Sequence, residues 1–146
     1  MFRSSSFHSI DPKGRIIIPA RFRDHIRSGG GDGVMISNMD GALYGYTINE
    51  WFTIEKKILS AKSQHMRQFK RFFLGNACEC SCDKQGRILL PQSLREYAGL
   101  TKEIVLAGVL DHFEIWSRDG WDAQNMKMEK EMEKEEVREE IASLGL

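Results

Sequence analysis

Apolar and polar positions follow one another along this chain in short stretches that predict short strands and short helices. Two apolar stretches, Arg15-Ile16-Ile17-Ile18 and Arg87-Ile88-Leu89-Leu90, are short and β-prone, so each is predicted to be a strand. Pro19 and Pro91 follow them directly. Proline fits the first turn of a helix, where its missing N–H group is not needed. The pattern therefore predicts, twice, a strand followed at once by a short helix.

These two units are copies of one another. Residues 11–23 and 83–95 share Asp, Gly, Arg, Ile, Pro and a final Arg at an offset of 72 positions, and such self-similarity indicates two related halves that fold together. Each strand is preceded by a predicted tight turn, Asp11-Pro12-Lys13-Gly14 or Asp83-Lys84-Gln85-Gly86, because Asp suits the first position and Gly the fourth. We expect the charged turns to project and the strands after them to pack.

The repeat extends beyond these units. A strand is predicted before each turn, over residues 7–10 and 74–82. Residues 34–37 and 43–48 predict a hairpin through a turn at 38–41, and similar stretches recur at 104–107 and 113–116, an offset of 70. The sequence thus predicts an α+β fold made of two pseudo-symmetric halves.

Helical patterns connect the halves and follow them. Asn49 is predicted to cap a helix in which Trp51, Ile54, Ile58 and Leu59 recur at helical spacing and are expected to pack in the core. A basic helix is predicted over residues 63–73. Its three phenylalanines are expected to face the core, with stacking on single-stranded bases as the alternative. The glycine-rich loop at residues 28–33 lacks the Lys-Ser/Thr of a nucleotide-binding loop and is weak evidence for phosphate binding.

The predicted organisation has four parts: a first repeat at residues 1–53, a basic helical connector at 54–73, a second repeat at 74–122 and a charged C-terminal helical tail at 123–146. The tail has a loose apolar stripe on an otherwise charged helix. That stripe could pack on the body, pair with another subunit or stay partly solvated. The stripe consists of Met128, Met132, Val137, Ile141 and Leu144.

The formal net charge is zero, but the distribution of charge is uneven. Residues 1–27 have a local charge of +4 and residues 56–73 one of +6, whereas residues 127–140 have −3. This asymmetry favours a basic surface for an anionic partner and an acidic tail, although solvated helix faces would give similar runs of charge.

Several classes of protein are disfavoured by the sequence. The first six residues lack an apolar signal segment, and no apolar run approaches membrane-spanning length. Three cysteines, Cys78, Cys80 and Cys82, are too few and too crowded for a disulfide framework, so we expect a cytoplasmic protein. A metal site on these thiols is the alternative to buried thiols on one side of a strand. Neither His8 nor His112 is a compelling fourth ligand, and no common catalytic motif is present; we expect no cofactor, no metal and no catalytic residue.

The motifs together resemble the MraZ family. The resemblance rests on the doubled Asp-x-x-Gly-Arg-(aliphatic)3-Pro pattern and on three further segments, Met1-Phe2-Arg3, Gly75-Asn76-Ala77-Cys78-Glu79-Cys80 and Gly108-Val109-Leu110-Asp111-His112-Phe113-Glu114-Ile115-Trp116. It covers residues 1 to about 121, and the tail lies outside it.

The resemblance implies a double swapped-hairpin β-barrel like that of AbrB-type regulators, with flanking short helices and a C-terminal helix, in which both hairpin units come from one chain. It also implies sequence-specific binding to double-stranded DNA, regulation at the promoter of the division and cell-wall gene cluster, and ring-shaped homo-oligomers in a nucleoid-associated, cytoplasmic location. An antitoxin-like role is disfavoured by the doubled hairpin and by the absence of a disordered toxin-binding tail.

Basic side chains on and near the two turns are the candidate DNA contacts. A β-ribbon with a projecting basic turn can enter the major groove, where an arginine can pair with guanine O6 and N7. Arg15 and Arg87 are predicted to read bases, although each could instead form only an ion pair with the aspartate of its turn. Asp11, Gly14, Asp83 and Gly86 are predicted to shape the turns. The predicted phosphate contacts, which would set the register, are Lys13, Arg3, Arg21 and Arg23, and Arg95 is a further predicted DNA contact.

The two copies differ at positions where the partner would be bound. Gln85 stands where the first copy has Lys13, and Ser93 stands where it has Arg21. The first turn is therefore predicted to dominate affinity. Since one turn contacts few base pairs, a ring that presents several first turns to short direct repeats of DNA is expected to gain affinity by effective concentration.

Overall fold

The computed structural model covers residues Met1–Leu146 and contains eight strands and six helices, which confirms the mixed α+β prediction. The first half consists of β1 (Ser5–Ser9), β2 (Arg15–Ile17), α1 (Ala20–Ser28), β3 (Gly33–Met39), β4 (Ala42–Thr47), α2 (Ile48–Ser60) and α3 (Gln64–Phe73). The second half repeats this order with β5 (Cys78–Ser81), β6 (Arg87–Leu89), α4 (Gln92–Ala98), β7 (Glu103–Gly108), β8 (Phe113–Ser117), α5 (Arg118–Glu131) and α6 (Glu135–Ala142).

The two halves exchange strands. Six strands form one antiparallel sheet in the order β1-β7-β8-β4-β3-β5, and β2 pairs with β6 in a separate two-stranded ribbon. In the sheet, β1 of the first half pairs with β7 of the second, and β5 of the second half pairs with β3 of the first. The sheet is open, with β1 and β5 at its edges. Neither half can therefore complete its strand pairing alone.

The register shows that the exchange is symmetric. In the ribbon, Ile16 lies opposite Ile88, its counterpart at the offset of 72. In the sheet, Tyr44 lies opposite Glu114, its counterpart at the offset of 70. Equivalent residues lie opposite one another where an approximate two-fold axis passes between two strands. The two sequence repeats are therefore related by this axis in the fold.

One core serves both halves. Nineteen buried residues drawn from both repeats form a single cluster, and burial of this apolar surface is the main force that holds the exchanged strands together. Phe2 anchors the start of the chain in this cluster, with its ring centroid 5.1 Å from that of Phe22 and 5.0 Å from that of Phe113. The resulting body is a shared scaffold that fixes both turns.

Two predictions about the helix after β4 are wrong. Thr47, not Asn49, is the N-cap of α2, because its side-chain oxygen accepts the backbone N–H of Glu50 at 3.1 Å. Trp51 is buried and packs with Tyr46 and Phe73 in a smaller apolar cluster that includes Ile54 and Ile58 at its margin. Leu59, however, is 71% exposed. The helix starts two residues earlier than predicted, and its last apolar residue faces solvent.

The phenylalanines of α3 divide between core and surface. Phe73 is buried and Phe69 stacks on it with ring centroids 5.3 Å apart, whereas Phe72 is exposed. The rings of Phe72 and Tyr97, the latter on α4, pack edge to face with centroids 6.0 Å apart. Core packing is confirmed for Phe73 and in part for Phe69.

The C-terminal tail is two helices rather than the single helix that was predicted. Residues 132–134 separate α5 from α6, and α5 begins at Arg118, directly after β8. The side chain of Ser117 caps α5 by accepting the N–H of Gly120 at 3.0 Å. Of the predicted stripe, Met132, Val137 and Ile141 are half-buried, and Met128 and Leu144 are exposed. No helix combines the length and apolar character needed to cross a bilayer.

Substitution of Gly45 by alanine tests the packing of the sheet on the core. A Cβ atom at this position would overlap the ring of Phe113, which is fully buried on the neighbouring strand. We expect Gly45→Ala to lower the free energy of unfolding by about 1–3 kcal/mol, measured by urea titration with tryptophan fluorescence. Gly33→Ala in β3 is the matched control, because its Cβ would meet only the movable side chain of Glu79. Equal losses in both variants would contradict this account.

Candidate nucleic-acid interface

Each predicted turn is closed by its aspartate. The N–H of Gly14 donates to the carbonyl of Asp11 at 2.9 Å, and that of Gly86 donates to the carbonyl of Asp83 at 3.0 Å. The carboxylate of Asp11 also accepts the backbone N–H groups of Lys13 at 3.0 Å and Arg15 at 2.8 Å. Asp83 makes the equivalent bonds in the second copy, each at 2.9 Å. The aspartates therefore determine the backbone path of both turns.

The same carboxylates hold the arginines. Arg15 Nε donates to Asp11 Oδ2 at 2.6 Å, and Arg87 Nε donates to Asp83 Oδ2 at 2.9 Å. The backbone N–H of the arginine, followed by its side chain, lowers the pKa of each aspartate below its usual value. Both carboxylates are consequently ionised at neutral pH and serve as fixed acceptors.

Backbone conformation and close packing explain why positions 14 and 86 are both glycine. Their φ angles are +90° and +76°, which favour glycine. A Cβ at Gly14 would lie 2.6 Å from Arg95 Cζ, and one at Gly86 would lie 2.5 Å from Arg23 Nη1. The two glycines thus allow a guanidinium to lie directly against each turn.

These packed guanidinium groups come from the opposite repeat. Arg95, on α4 of the second half, lies against the first turn and donates from Nε to the carbonyl of Leu90 at 3.0 Å. Arg23, on α1 of the first half, lies against the second turn and donates to the carbonyl of Ile18. The structure therefore brings nine of the eleven predicted basic and turn residues into two composite groups. These are Asp11, Lys13, Gly14, Arg15 and Arg95 at the first turn and Asp83, Gly86, Arg87 and Arg23 at the second.

The ribbon joins the two groups. The N–H of Leu90, just after β6, donates to the carbonyl of Gly14 at 2.9 Å, and the N–H of Ile18, just after β2, donates to that of Gly86 at 2.9 Å. Each turn is thus bonded to the far end of the other repeat's strand. The turns lie at opposite ends of the β2–β6 ribbon and are held at a fixed separation.

The guanidinium groups of Arg15 and Arg87 differ in how many of their nitrogens are hydrogen-bonded within the protein. The terminal nitrogens of Arg15 make no hydrogen bond, although its Nε is held by Asp11. In the second copy, Arg87 Nη2 also donates to the side-chain oxygen of Gln85 at 3.1 Å. Lys13, at the position equivalent to Gln85, leaves its exposed ammonium group unpaired. The first turn therefore leaves both terminal nitrogens of its arginine free, whereas the net charge of the two turns is the same, because each contains one lysine, Lys13 or Lys84.

Arg3 and Arg21 form a separate basic pair at the start of the chain. Arg21 Nε donates to the carbonyl of Arg3 at 3.1 Å, and its guanidinium also lies over the ring of Phe22, 4.6 Å from the centroid. Neither arginine forms a side-chain hydrogen bond or an ion pair with the turns. Arg21 therefore fixes the N-terminal segment on α1, and Arg3 remains exposed.

Sequence reasoning missed one candidate and one relationship. Lys84 is exposed on the second turn, and its charge and position within the turn were the available signal. The contact of Arg95 and Arg23 with the opposite turns carries no local signal, because it depends on how the two halves pair.

The cysteines face the core as expected for one side of a strand. Cys80 is buried, and Cys78 and Cys82 are half-buried against the main cluster. Burial, followed by the charge of Cys78, raises the pKa of the Cys80 thiol to about 12. No group of three metal-ligating side chains occurs. Cys80 is therefore a neutral packing group, and the side chains of Cys78 and Cys82 pack against the same cluster.

Comparison with known proteins identifies relatives over the full chain. The family described as "MraZ protein, putative antitoxin-like" matches residues 1–72 and 73–142. The chain is 76% identical to the transcriptional regulator MraZ of Desulforapulum autotrophicum, with all of both chains covered. It is 54% identical to that of Desulfosudis oleivorans, again over all of both chains. It is 45% identical to that of Pelotomaculum thermopropionicum, over all of this chain and 99% of the relative.

The two family matches meet between residues 72 and 73, at the end of α3, which is also where the first half of the fold ends. Given the matches to both repeats and the identity over the full length, the chain belongs to the MraZ family of transcriptional regulators.

Proposed function

We propose that this chain regulates transcription by binding specific DNA sequences at the promoter of the division and cell-wall gene cluster that includes its own gene. The observation that carries the proposal is the Arg15 side chain. Its Nε is anchored to Asp11 at 2.6 Å while its terminal nitrogens stay free. An anchored fork loses little conformational entropy when it binds, and its geometry matches the O6 and N7 acceptors of guanine.

The ribbon supports a docking mode in the major groove. The groove admits a two-stranded ribbon, and the β2–β6 ribbon is such an element with a rigid turn at each end. We propose that Arg15 reads a base and that Lys13, Lys84, Arg23 and Arg95 contact phosphates on either side. Phosphate contacts of this kind set the register of the protein on the duplex. Arg3 is assigned to a more distant phosphate, and Arg21 acts by positioning the N-terminal segment.

The same geometry favours binding over catalysis. The two turn aspartates already accept several hydrogen bonds, and the pKa of each is lowered. A carboxylate in this state is a weak general base. We therefore propose a binding protein rather than an enzyme, with no cofactor.

A single chain offers one strong turn, which is little for a specific site. We propose that several chains form a ring that presents its first turns to short direct repeats, in a cytoplasmic, nucleoid-associated location. A ring needs a head-to-tail interface, which relates successive turns by rotation in one sense and so suits direct repeats. We further propose that each chain has the swapped-hairpin barrel architecture, and the exchange of strands between its two halves supports this, although the six-stranded sheet is open.

Replacement of the two arginines tests which turn reads bases. We expect Arg15→Ala to reduce the preference for promoter DNA over random DNA by about 5- to 150-fold, the range expected for loss of a bidentate guanine contact. Arg87→Ala should cost less, because Gln85 already occupies part of its fork. Binding would be measured by fluorescence anisotropy at several salt concentrations.

Arg15→Lys is the matched control, since it keeps the charge but loses the fork. It should retain non-specific binding and lose the promoter preference, and circular dichroism would verify the fold of each variant. A wild-type protein with no preference for the promoter at any salt concentration would refute the proposed function.

Conversion of the second turn towards the first tests the role of Gln85. Gln85→Lys removes the bond to Arg87 Nη2 and adds a cation, so we expect tighter binding to promoter DNA. The slope of log K against log salt concentration should become steeper by about 1 for each such turn that contacts a phosphate. Gln124→Lys adds the same charge at an exposed position on α5. Equal gains in both variants would show that net charge, rather than the turn, is responsible.

Variation of the number of DNA repeats tests the multivalent arrangement. Affinity should rise by about 10²- to 10⁴-fold between duplexes with one repeat and those with several, provided the spacing is preserved. Analytical ultracentrifugation would report the assembly on each duplex. Equal affinity for an isolated repeat and an array would eliminate the ring model.

A further inference from the structure

The outward face of the β2–β6 ribbon bears aliphatic side chains as well as arginines. Ile17 is 52% exposed and Leu89 is 57% exposed, whereas Ile16 and Ile88 on the inward face are each 1% exposed. Ile17 and Leu89 are counterparts at the offset of 72. Strand propensity explains an exposed isoleucine but favours leucine less, so the pair has no explanation in the stability of the ribbon alone.

The register places each aliphatic side chain beside a candidate base-reading arginine. Leu89 lies opposite Arg15, and Ile17 lies opposite Arg87. Directly opposed side chains on one face of an antiparallel pair are about 5 Å apart at Cβ. The face is therefore a compact patch of two arginines and two aliphatic groups, related by the approximate two-fold axis.

This mixture of groups indicates what covers the face. A hydrophobic surface of another protein chain would bury the free terminal N–H groups of both arginines without acceptors, at a high free-energy cost. The floor of the major groove, in contrast, presents guanine acceptors for arginine and the C5-methyl group of thymine for an apolar contact at the same depth. Only the methyl group gives an aliphatic side chain a favourable contact there.

We propose that Ile17 and Leu89 are specificity-determining residues that contact thymine methyl groups within a step or two of the guanines read by Arg87 and Arg15. This inference rests on the proposed function and adds a second base to what the ribbon reads. The contact at Leu89 accompanies the stronger Arg15 and so contributes more to selectivity. A DNA site that suits this face combines guanine with a nearby thymine.

Uracil interference tests the contact directly. Promoter DNA in which thymine is randomly replaced by uracil loses single methyl groups, and the protein-bound fraction is depleted wherever a contacted methyl is missing. We expect depletion of about three- to fivefold at a few positions close to guanines, because this is the loss of affinity that corresponds to the burial of one methyl group. Leu89→Ala should abolish the depletion at the positions beside the Arg15 guanines, and Ile17→Ala at the others.

Two controls separate this inference from the proposed function. Guanine methylation interference on the same DNA reports the arginine contacts and should persist in Ile17→Ala and Leu89→Ala. Leu59→Ala, which truncates an aliphatic side chain on α2 that is 71% exposed, should leave both patterns unchanged. Because all three side chains are exposed, we expect each variant to fold, as circular dichroism would verify.

The outcomes that overturn the inference are distinct. Guanine interference with no uracil interference in the wild type, or a uracil pattern unchanged in both ribbon variants, overturns the thymine contact and leaves the proposed function standing. A change of assembly size in Ile17→Ala or Leu89→Ala, with the uracil pattern intact, assigns the face to a contact between copies instead. Absence of both interference patterns, with no preference for the promoter, refutes the proposed function itself.

Discussion

Pairing of β2 with β6 is the constraint on which the candidate interface depends. This pairing places Ile16 against Ile88 in the shared core and bonds each strand end to the turn of the other repeat. It is a non-local contact between segments 72 positions apart, so its loop-closure entropy must be offset by the burial that accompanies it. Because the core and the ribbon form together, the turns cannot be positioned unless the whole body is folded.

The rigidity of the turns follows from a few hydrogen bonds to one carboxylate and from the close packing that a glycine allows. The carboxylate of Asp11 accepts two backbone N–H groups and one arginine Nε, so one side chain determines both the backbone path and the direction of the fork. Gly14 permits Arg95 to approach from the other repeat. The ion pair with Asp11 is therefore compatible with the base reading proposed for Arg15. The carboxylate orients the guanidinium, and its terminal nitrogens remain available for DNA.

Local patterns in the sequence were sufficient for the two turns, the helices after Pro19 and Pro91 and the approximate positions of the strands, although the strand predicted over residues 74–82 spans only Cys78–Ser81. They could not assign the strand exchange, because the two repeats have the same local preferences and an apolar stretch pairs equally well within its own half. They also misplaced the cap of α2, since Thr47 and Asn49 are both good capping residues and only the bond to Glu50 decides between them. The exposure of Leu59 and the break between α5 and α6 depend on tertiary packing, which periodicity does not encode.

Fusion of two repeats in one chain permits a difference that two identical chains could not have. In a symmetric dimer, a substitution in one turn appears in both, whereas here Lys13 and Gln85 occupy equivalent positions with opposite consequences. The second turn can then lose donors to its own glutamine while its backbone, aspartate and glycine still support the ribbon. The β2–β6 ribbon needs the backbone of both turns, but the two arginines need not contribute equally to the proposed base reading. The asymmetry of the two forks thus follows from a scaffold that requires symmetry in its backbone and tolerates its loss in the side chains that face the partner.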